Sequence, residues 1–327
     1  MHKRLLLPVW AWLFFALLAC VPFYASVSDD PFLTAFVARA LIYAIAATAL
    51  NIVLGWGGLV SLGHALFIGL GMYSVAILSF WGIDNGWIQL AVCILSCGLI
   101  GGLTGLVSLR TTGIAFIMIT LAFAQMAYFV IVSLKLFGGD DGMAVAVASD
   151  FGAFTLANAA SVYACALVLL FLLTVWMLKF RESPFGMTLR AGRQNSRRVN
   201  AMGLVLKQYQ LTAYVLSAVW CGVAGMLLAN LNAYASPSSM TWVVSGDLIV
   251  MVVLGGMGTV AGPIAGTFLF IGVEEVLKHF TDHWMAVFGL LVVAMAMLGK
   301  AGVVGWWQQQ RLNAAHKHSA KATGGVA

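Results

Sequence analysis

The feature that most constrains the fold is a run of 44 residues, from Ala40 to Ile83, without a single Asp, Glu, Lys or Arg. As one helix this run would extend ~66 Å, whereas the hydrocarbon core of a bilayer is ~30 Å thick. The chain must therefore fold back within the run. Because 62% of the 327 residues are hydrophobic and only 9% are charged, there is too little polar surface for a soluble globule. The turn can form at a glycine cluster, Gly55, Gly57, Gly58 and Gly63.

Apolar segments long enough for one crossing, ~20 residues, recur along the chain. Seven are evident directly: 5–24, 33–54, 66–81, 87–109, 114–136, 161–178 and 209–229. Residues 248–273 form either one tilted helix or two short helices hinged at glycines, and 284–298 form a last span. The first segment follows basic residues as a signal peptide would, but its apolar stretch is long for one, and we expect an uncleaved span.

Positive charge decides between one pass and two in residues 248–273. With two passes, 14 of the 17 Lys and Arg residues face the cytoplasm, whereas a single pass would place the basic tail outside. We therefore expect an all-α, polytopic membrane protein with about ten transmembrane helices, Gly-rich broken segments and both termini cytoplasmic. Residues 1–305 would form the membrane domain, with a cytoplasmic loop at 180–208. Residues 306–327 would form a polar, disordered cytoplasmic tail.

The segment from Lys179 to Lys207, which spans the cytoplasmic loop, contains seven basic residues against one acid, Glu182. Its local signals predict two short helices: one capped by Ser183 and ending at Gly192, and one capped by Asn195 and ending at Gly203. We expect four apolar side chains to be exposed among the arginines, as knobs for a soluble partner. The alternative is a basic loop on anionic lipid headgroups, and the pattern alone does not separate the two. The four apolar residues are Phe185, Met187, Val199 and Met202.

Two glycine-rich segments, 53–65 and 253–265, resemble one another and interrupt otherwise apolar stretches. Broken helices in membranes are tolerated where protein or water surrounds the freed backbone, and this is often a substrate path. Polar side chains in the first segment fit either such a path or hydrogen bonding between helices. His64, beside the Gly63 turn, has a structural reading as well, because it can cap the helix that follows.

Ionisable residues are almost absent from the apolar stretches, which argues against a transporter driven by protons or sodium and favours a pore moved by an external motor. The chain has no G-x-x-x-x-G-K-[ST] loop of its own, and neither a Ser-His-Asp set nor an H-E-x-x-H motif. We therefore expect no enzyme activity. The five cysteines lack metal spacing and are interpreted as small buried hydrophobes, so no metal is expected. A stand-alone ion- or proton-coupled secondary transporter is the alternative.

Four blocks together resemble permease subunits of branched-chain amino acid ABC transporters, of the LivM type. They cover the chain from about residue 40 to 305 and consist of the residues LNIVLG (50–55) with GLVSLGHA (58–65) and FIG (67–69); TLAF (120–123) with GGDDG (138–142); SPFG (183–186) with LRA (189–191) and AMG (201–203); and LGGMGT (254–259) with GP (262–263).

The resemblance implies one of two membrane subunits of a bacterial inner-membrane importer. It would pair with a homologous permease, two cytoplasmic ATPase subunits and a periplasmic solute-binding protein, without cofactor or nucleic acid. The solute would be a leucine-like amino acid, urea or an amide, and the resemblance favours partner docking at the basic loop. The implied ATPase-coupling residues are Pro184, Phe185, Gly186, Arg190, Ala191, Arg193, Arg197, Arg198, Ala201 and Gly203. Candidates for the translocation pathway or its gating are Asn51, Gly55, Gly58, Ser61, Gly63, His64, Gly255, Gly256, Gly258 and Pro263, and those for binding-protein docking are Asp140 and Asp141.

Overall fold

The computed structural model describes residues 15–18, 31–280, 283, 285–290 and 293, and these are mostly helical. The expected first and last spans and the tail at 306–327 lie largely or wholly outside the described residues. The helices are α1 (Pro31–Asn51), α2 (His64–Phe80), α3 (Gly86–Ser108), α4 (Ile114–Ser133), α5 (Ala159–Glu182), α6 (Pro184–Gln194), α7 (Ser196–Ala201), α8 (Leu206–Asn232), α9 (Trp242–Gly255) and α10 (Gly262–Phe280).

Five helices in the described part of the chain are long and apolar enough to cross a membrane: Phe32–Trp56, Gly86–Ser108, Ile114–Ser133, Ala159–Glu182 and Leu206–Asn232. Two more apolar helices, α2 and α9, are shorter. The total of about ten spans and the cytoplasmic termini stay predictions.

The charge-free run is interrupted at the expected glycine cluster. Helix α1 continues into a π-helical turn, Ile52–Trp56, and α2 begins only at His64. The backbone between them contains Gly58, whose φ is +69°. A single helix of the full length of the run is therefore excluded.

Residues 248–273 likewise form two helices rather than one. Helix α9 ends at Gly255 and α10 begins at Gly262, with Gly256 and Gly258 at positive φ between them. Backbone contacts pair the two helices in reverse order: an added Cβ at Gly255 would overlap the carbonyl oxygen of Gly262, and one at Gly266 would overlap that of Met251. The two helices are therefore an antiparallel hairpin whose bend lies at the expected glycines.

Helix α8 forms the centre of the bundle and packs most extensively against α2 and α3. Gly71 of α2 faces the backbone of Gly222, and Cys93 and Cys97 of α3 are buried against the same glycine. Small residues at helix contacts are typical of membrane proteins, because they let the helices approach closely enough for extensive van der Waals packing.

The two ends of α8 define two sides of the molecule. Its 27 residues extend ~40 Å. Helix α7 and the basic loop precede its first turn, and a short antiparallel pairing of Met143–Ala144 with Tyr234–Ala235 adjoins its last turn. This pairing is a small addition to the all-α expectation. We call the two sides the basic-loop side and the sheet side.

Candidate functional site

The two glycine-rich breaks meet on the basic-loop side, through the side chain of Asn51. This side chain is fully buried, its Nδ2 donates to the carbonyl of Thr259 at 2.8 Å, and its Oδ1 accepts from the amide of Gly258 at 2.9 Å. The indole Nε1 of Trp56 donates to the carbonyl of Gly258 at 3.0 Å. Residues separated by more than 200 positions are thus joined by three hydrogen bonds. We call this cluster the glycine node.

Close backbone approach at the glycine node requires Gly55. A Cβ atom on that residue would lie 2.6 Å from the amide nitrogen of Gly258 and would overlap Asn51. Gly258 itself has a φ of +81°, in the left-handed region that L side chains rarely adopt. The node therefore cannot accept larger side chains at either position without moving backbone.

The basic loop contacts the glycine node directly. The guanidinium of Arg193, in the last turn of α6, donates to the carbonyl of Gly55. Its aliphatic stem passes over Gly58, where an added Cβ would lie 2.8 Å from Arg193 Cγ. A guanidinium bonded to a carbonyl in the π-helical turn makes α6 and the break one connected unit.

Local sequence explains most of the structure of the basic loop. The hydroxyl of Ser183 accepts from the amide of Gly186, and the side chain of Asn195 accepts from the amide of Arg198, so both expected caps are present. The expected end of the first helix is wrong, because α6 passes Gly192 and ends at Gln194. Gly192 is buried against the side chain of Leu206, so it serves helix packing.

Two of the four expected exposed knobs are wrong. Val199 is 2% exposed, and Phe185 is half-buried between Phe180 and Tyr209, with ring centroids 5.1 Å from each. Both side chains hold the loop against the bundle. Phe180 also stacks on Trp56 at 5.7 Å, which connects α5 and α6 to the glycine node.

The outer face of α6 and α7 is where the remaining expected coupling residues lie. Arg190 is half-buried and bonds the carbonyls of Gly186, which is itself buried, and Arg181. Desolvation lowers the pKa of Arg190 and the charge of Arg181 adds to this, but a guanidinium remains charged at physiological pH. The exposed coupling candidates among them are Pro184, Ala191, Arg197, Arg198, Ala201 and Gly203. Met187 and Met202, the other two expected apolar knobs, are exposed as well.

A second buried polar network adjoins the node at the start of α2. His64 is fully buried, with Nδ1 3.0 Å from the hydroxyl of Ser61 and Nε2 3.0 Å from that of Ser217. Since the Ser217 hydroxyl donates to the carbonyl of Ala49, it accepts from Nε2, and Nδ1 accepts from Ser61. His64 thus ties the break to α8.

The other expected pathway residues surround these two networks. Gly63 lies against Thr120 of α4. Gly255, Gly256 and Pro263 form the bend between α9 and α10, where Gly255 and Pro263 are buried. The pathway candidates of both breaks therefore lie together on the basic-loop side.

Asp140 and Asp141, by contrast, lie on the sheet side. Both are exposed, Asp140 accepts from the hydroxyl of Tyr128 at 3.4 Å, and the carbonyl of Asp141 accepts from the hydroxyl of Tyr234. They take no part in the glycine node. Within the described residues, no group of three or more His, Cys, Asp or Glu side chains forms a metal site.

Sequence reasoning missed Trp56 and Thr259 as members of the node. Trp56 is 1% exposed although an indole in a membrane protein commonly lies at the interface. Its position between Gly55 and Gly57 is the signal that could have found it. Thr259 contributes a main-chain carbonyl, and its side-chain type gives no signal for that.

The apolar helices, their two glycine breaks and the capped basic loop define a multi-pass helical membrane protein. The chain belongs to the family described as "Branched-chain amino acid transport system / permease component", whose model matches residues 32–296. The predicted resemblance is thereby confirmed.

Relatives of known name agree with this. The chain is 27% identical over 288 residues to the "High-affinity branched-chain amino acid transport system permease protein LivM" of Escherichia coli K12, covering 81% of this chain and 68% of the relative, and the Salmonella typhimurium protein of the same name matches equally. It is 26% identical over 164 residues to the "Probable branched-chain amino acid transport permease protein LivH" of Methanocaldococcus jannaschii, covering 44% and 49%. No solved structure matches.

Proposed function

We propose that this chain is a membrane subunit of a bacterial ATP-driven importer and forms half of the translocation pathway for branched-chain amino acids or related small polar solutes. The chain acts without catalysis of its own, because ATP is hydrolysed by two cytoplasmic ATPase subunits. The importer lies in the inner membrane, and a homologous permease completes the pathway. A periplasmic binding protein delivers the solute to it. The likeness to proteins named both LivM and LivH supports a pairing of two related permeases.

The observation that carries the proposal is the bond from Arg193 to the carbonyl of Gly55. An ATPase that docks on the exposed face of α6 and α7 would move α6, and α6 is bonded to the π-helical turn of the first break. That turn is bonded in turn to Gly258 in the second break, through Trp56. Motion at the cytoplasmic surface therefore reaches both glycine-rich segments without needing a flexible linker.

The two breaks act as the part of the pathway that opens and closes. Their glycines, with Asn51, Ser61 and His64, join α1, α8 and the α9–α10 hairpin, so a shift of the node changes how these helices pack. The binding protein docks at the opposite end, around Asp140 and Asp141. This arrangement separates the ATP-driven movement from solute delivery by ~40 Å, the length of α8.

The test is ATP-dependent leucine uptake by the complete complex in proteoliposomes. Gly203→Leu should abolish uptake while membrane insertion and subunit levels stay normal, because Gly203 has a φ of +81° between α7 and α8 and an exposed position on the docking face. Gly152→Leu is the matched control, with a φ of +79° and open space on the sheet side, and should transport normally.

Normal uptake by the Gly203→Leu complex would contradict the proposal. Loss of the Gly203→Leu protein from the membrane would indicate a folding defect and not a coupling defect. Uptake by this chain alone, without ATP or companion subunits, would instead support the alternative of an ion- or proton-coupled secondary transporter.

A further inference from the structure

A cavity of about 300 Å³ lies on the sheet side, at the opposite end of the bundle from the glycine node. This volume is at the lower end of the range for small-molecule sites. Helices α1, α2, α8 and α9 contribute to its wall, together with the segment between α8 and α9. The lining residues are Arg39, Tyr43, Met72, Leu228, Asn232, Tyr234, Ser236, Ser238, Ser239 and Val244.

Among the residues that the structure describes, one cation lines the cavity. Arg39 lies eight residues into α1, about 12 Å along the helix axis from its first residue, and its Cζ is 5.9 Å from the centre of the Tyr43 ring. A charged side chain within a transmembrane helix is costly, and those that face a cavity commonly mark a substrate path.

Two carboxylates lie near the cavity, although neither lines it. Asp247 follows the lining residue Val244 by about one helical turn of α9, and Glu274 of α10 pairs with Lys278 at 2.7 Å. The wall itself is mixed: serine hydroxyls and the Asn232 amide occupy one part, and Met72, Leu228 and Val244 occupy another. A cation therefore lines a small and partly apolar space, and a carboxylate lies one helical turn farther along α9.

We propose that this cavity is a transit site for a zwitterionic α-amino acid with a small aliphatic side chain. The guanidinium of Arg39 binds the carboxylate, the serine hydroxyls and the Asn232 amide oxygen accept from the ammonium group, and the apolar wall receives the side chain. The negative charge of Asp247, one helical turn beyond Val244, favours the ammonium group over a neutral one. The ligand must carry an ammonium group and a carboxylate close together. A simple anion lacks the ammonium group, and a neutral amide lacks both charges. The assignment rests on the proposed function, because it names where the imported solute binds.

The surroundings of the cavity support a path from the outer surface. Tyr234 lines the cavity, and its hydroxyl also donates to the carbonyl of Asp141, so the loop expected to meet the binding protein adjoins the cavity. Helix α1 contains Arg39 near the cavity and Asn51 at the glycine node. Helix α9 likewise contains Asp247 toward the cavity and Gly255 at the bend beside the node. A shift of the glycine node therefore acts on both helices that bear the charged groups.

The experiment is ligand protection of an introduced thiol in the reconstituted complex. Ser238 is exposed at the cavity, so Ser238→Cys should react with a membrane-impermeant thiol reagent, with the unsubstituted chain as the labelling background. Leucine should slow the reaction, whereas isovalerate, which lacks the ammonium group, and leucinol, which lacks the carboxylate, should not. Adding Arg39→Gln should raise the half-protecting leucine concentration by about tenfold or more, the loss expected for a charge-assisted pair.

Controls separate binding from folding. Lys135→Gln removes an exposed charge beyond the end of α4 that does not line the cavity, and it should leave protection unchanged. Arg39→Lys keeps the charge without the planar fork and should restore part of the protection lost in Arg39→Gln. Variants are compared only as assembled complexes that elute as one species.

Uptake measured in the same vesicles distinguishes failure of this inference from failure of the proposed function. If the complex imports leucine with ATP but leucine does not protect Ser238→Cys, or protects it equally after Arg39→Gln, the transit site is wrong and the importer stands. Equal protection by isovalerate would also overturn it, because the cavity would then bind only an anion. Absence of ATP-dependent import of any amino acid would overturn both.

Discussion

The sharpest test of the glycine node is replacement of Asn51 by Leu, which keeps the size of the side chain and removes its amide. The amide of Gly258 and the carbonyl of Thr259 then lose their hydrogen bonds, of 2.9 and 2.8 Å, to a side chain that is itself fully buried. Hydrogen bonds between membrane helices contribute about 0.6 kcal/mol on average and up to about 1.7 kcal/mol. Loss of both therefore corresponds to about 1–3 kcal/mol.

The assay is thermal unfolding of the purified protein in detergent. At about 2–4 °C per kcal/mol for domains of this size class, Asn51→Leu should lower Tm by roughly 2–12 °C. Asn158→Leu is the matched control. It is exposed, and its side chain does not cap α5, so its Tm should lie within about 1 °C of the unsubstituted protein.

A double-mutant cycle makes the same prediction stricter. Trp56→Phe removes the indole donor to the carbonyl of Gly258, the residue whose amide Asn51 binds. Because both changes act on one residue, their effects on Tm should be non-additive, with an interaction energy of about 0.5 kcal/mol or more. Additive effects, or a Tm for Asn51→Leu equal to that of its control, would show that the node does not join the two breaks in solution.

Three further predictions concern the neighbouring contacts. Arg193→Gln should reduce ATP-dependent uptake about tenfold or more while ATP hydrolysis continues, because the charged hydrogen bond to the carbonyl of Gly55 is lost. The control, Lys207→Gln, should transport normally. Equal loss of uptake and of ATP hydrolysis in Arg193→Gln would contradict this prediction. Gly55→Ala should lower stability by about 1–3 kcal/mol through overpacking, measured as Tm, whereas Gly102→Ala has open space and should have little effect; equal Tm values would refute the close approach. Asp141→Asn should weaken association with the binding protein a few-fold at low salt and less at high salt, measured by surface plasmon resonance; the effect is wrong if it is independent of ionic strength.

Features governed by neighbouring residues were predictable from the sequence. The fold-back of the charge-free run follows from its length alone, and the caps at Ser183 and Asn195 depend only on residues within one helical turn. The bend between α9 and α10 followed from glycines and from the distribution of positive charge. None of these three features depends on what packs against the helices.

Features set by tertiary packing were not predictable in the same way. The exposure expected for Phe185 and Val199 was wrong because their amphipathic helices lie against α8 and α5, and nothing in the basic loop reveals which face that is. The end of α6 was misplaced because Gly192 fits the side chain of Leu206 and does not terminate a helix. The bond between Arg193 and Gly55 joins residues 138 positions apart, which no local pattern encodes.

The bond from Arg193 ends on a main-chain oxygen, and this affects how the contact can change over generations. Every amino acid has a carbonyl, so no point mutation at residue 55 can delete the acceptor; it can only displace it. The donor, in contrast, is lost by a single codon change at residue 193. In evolution, loss of this hydrogen bond should therefore be seen as substitution of residue 193, without a compensating substitution at residue 55.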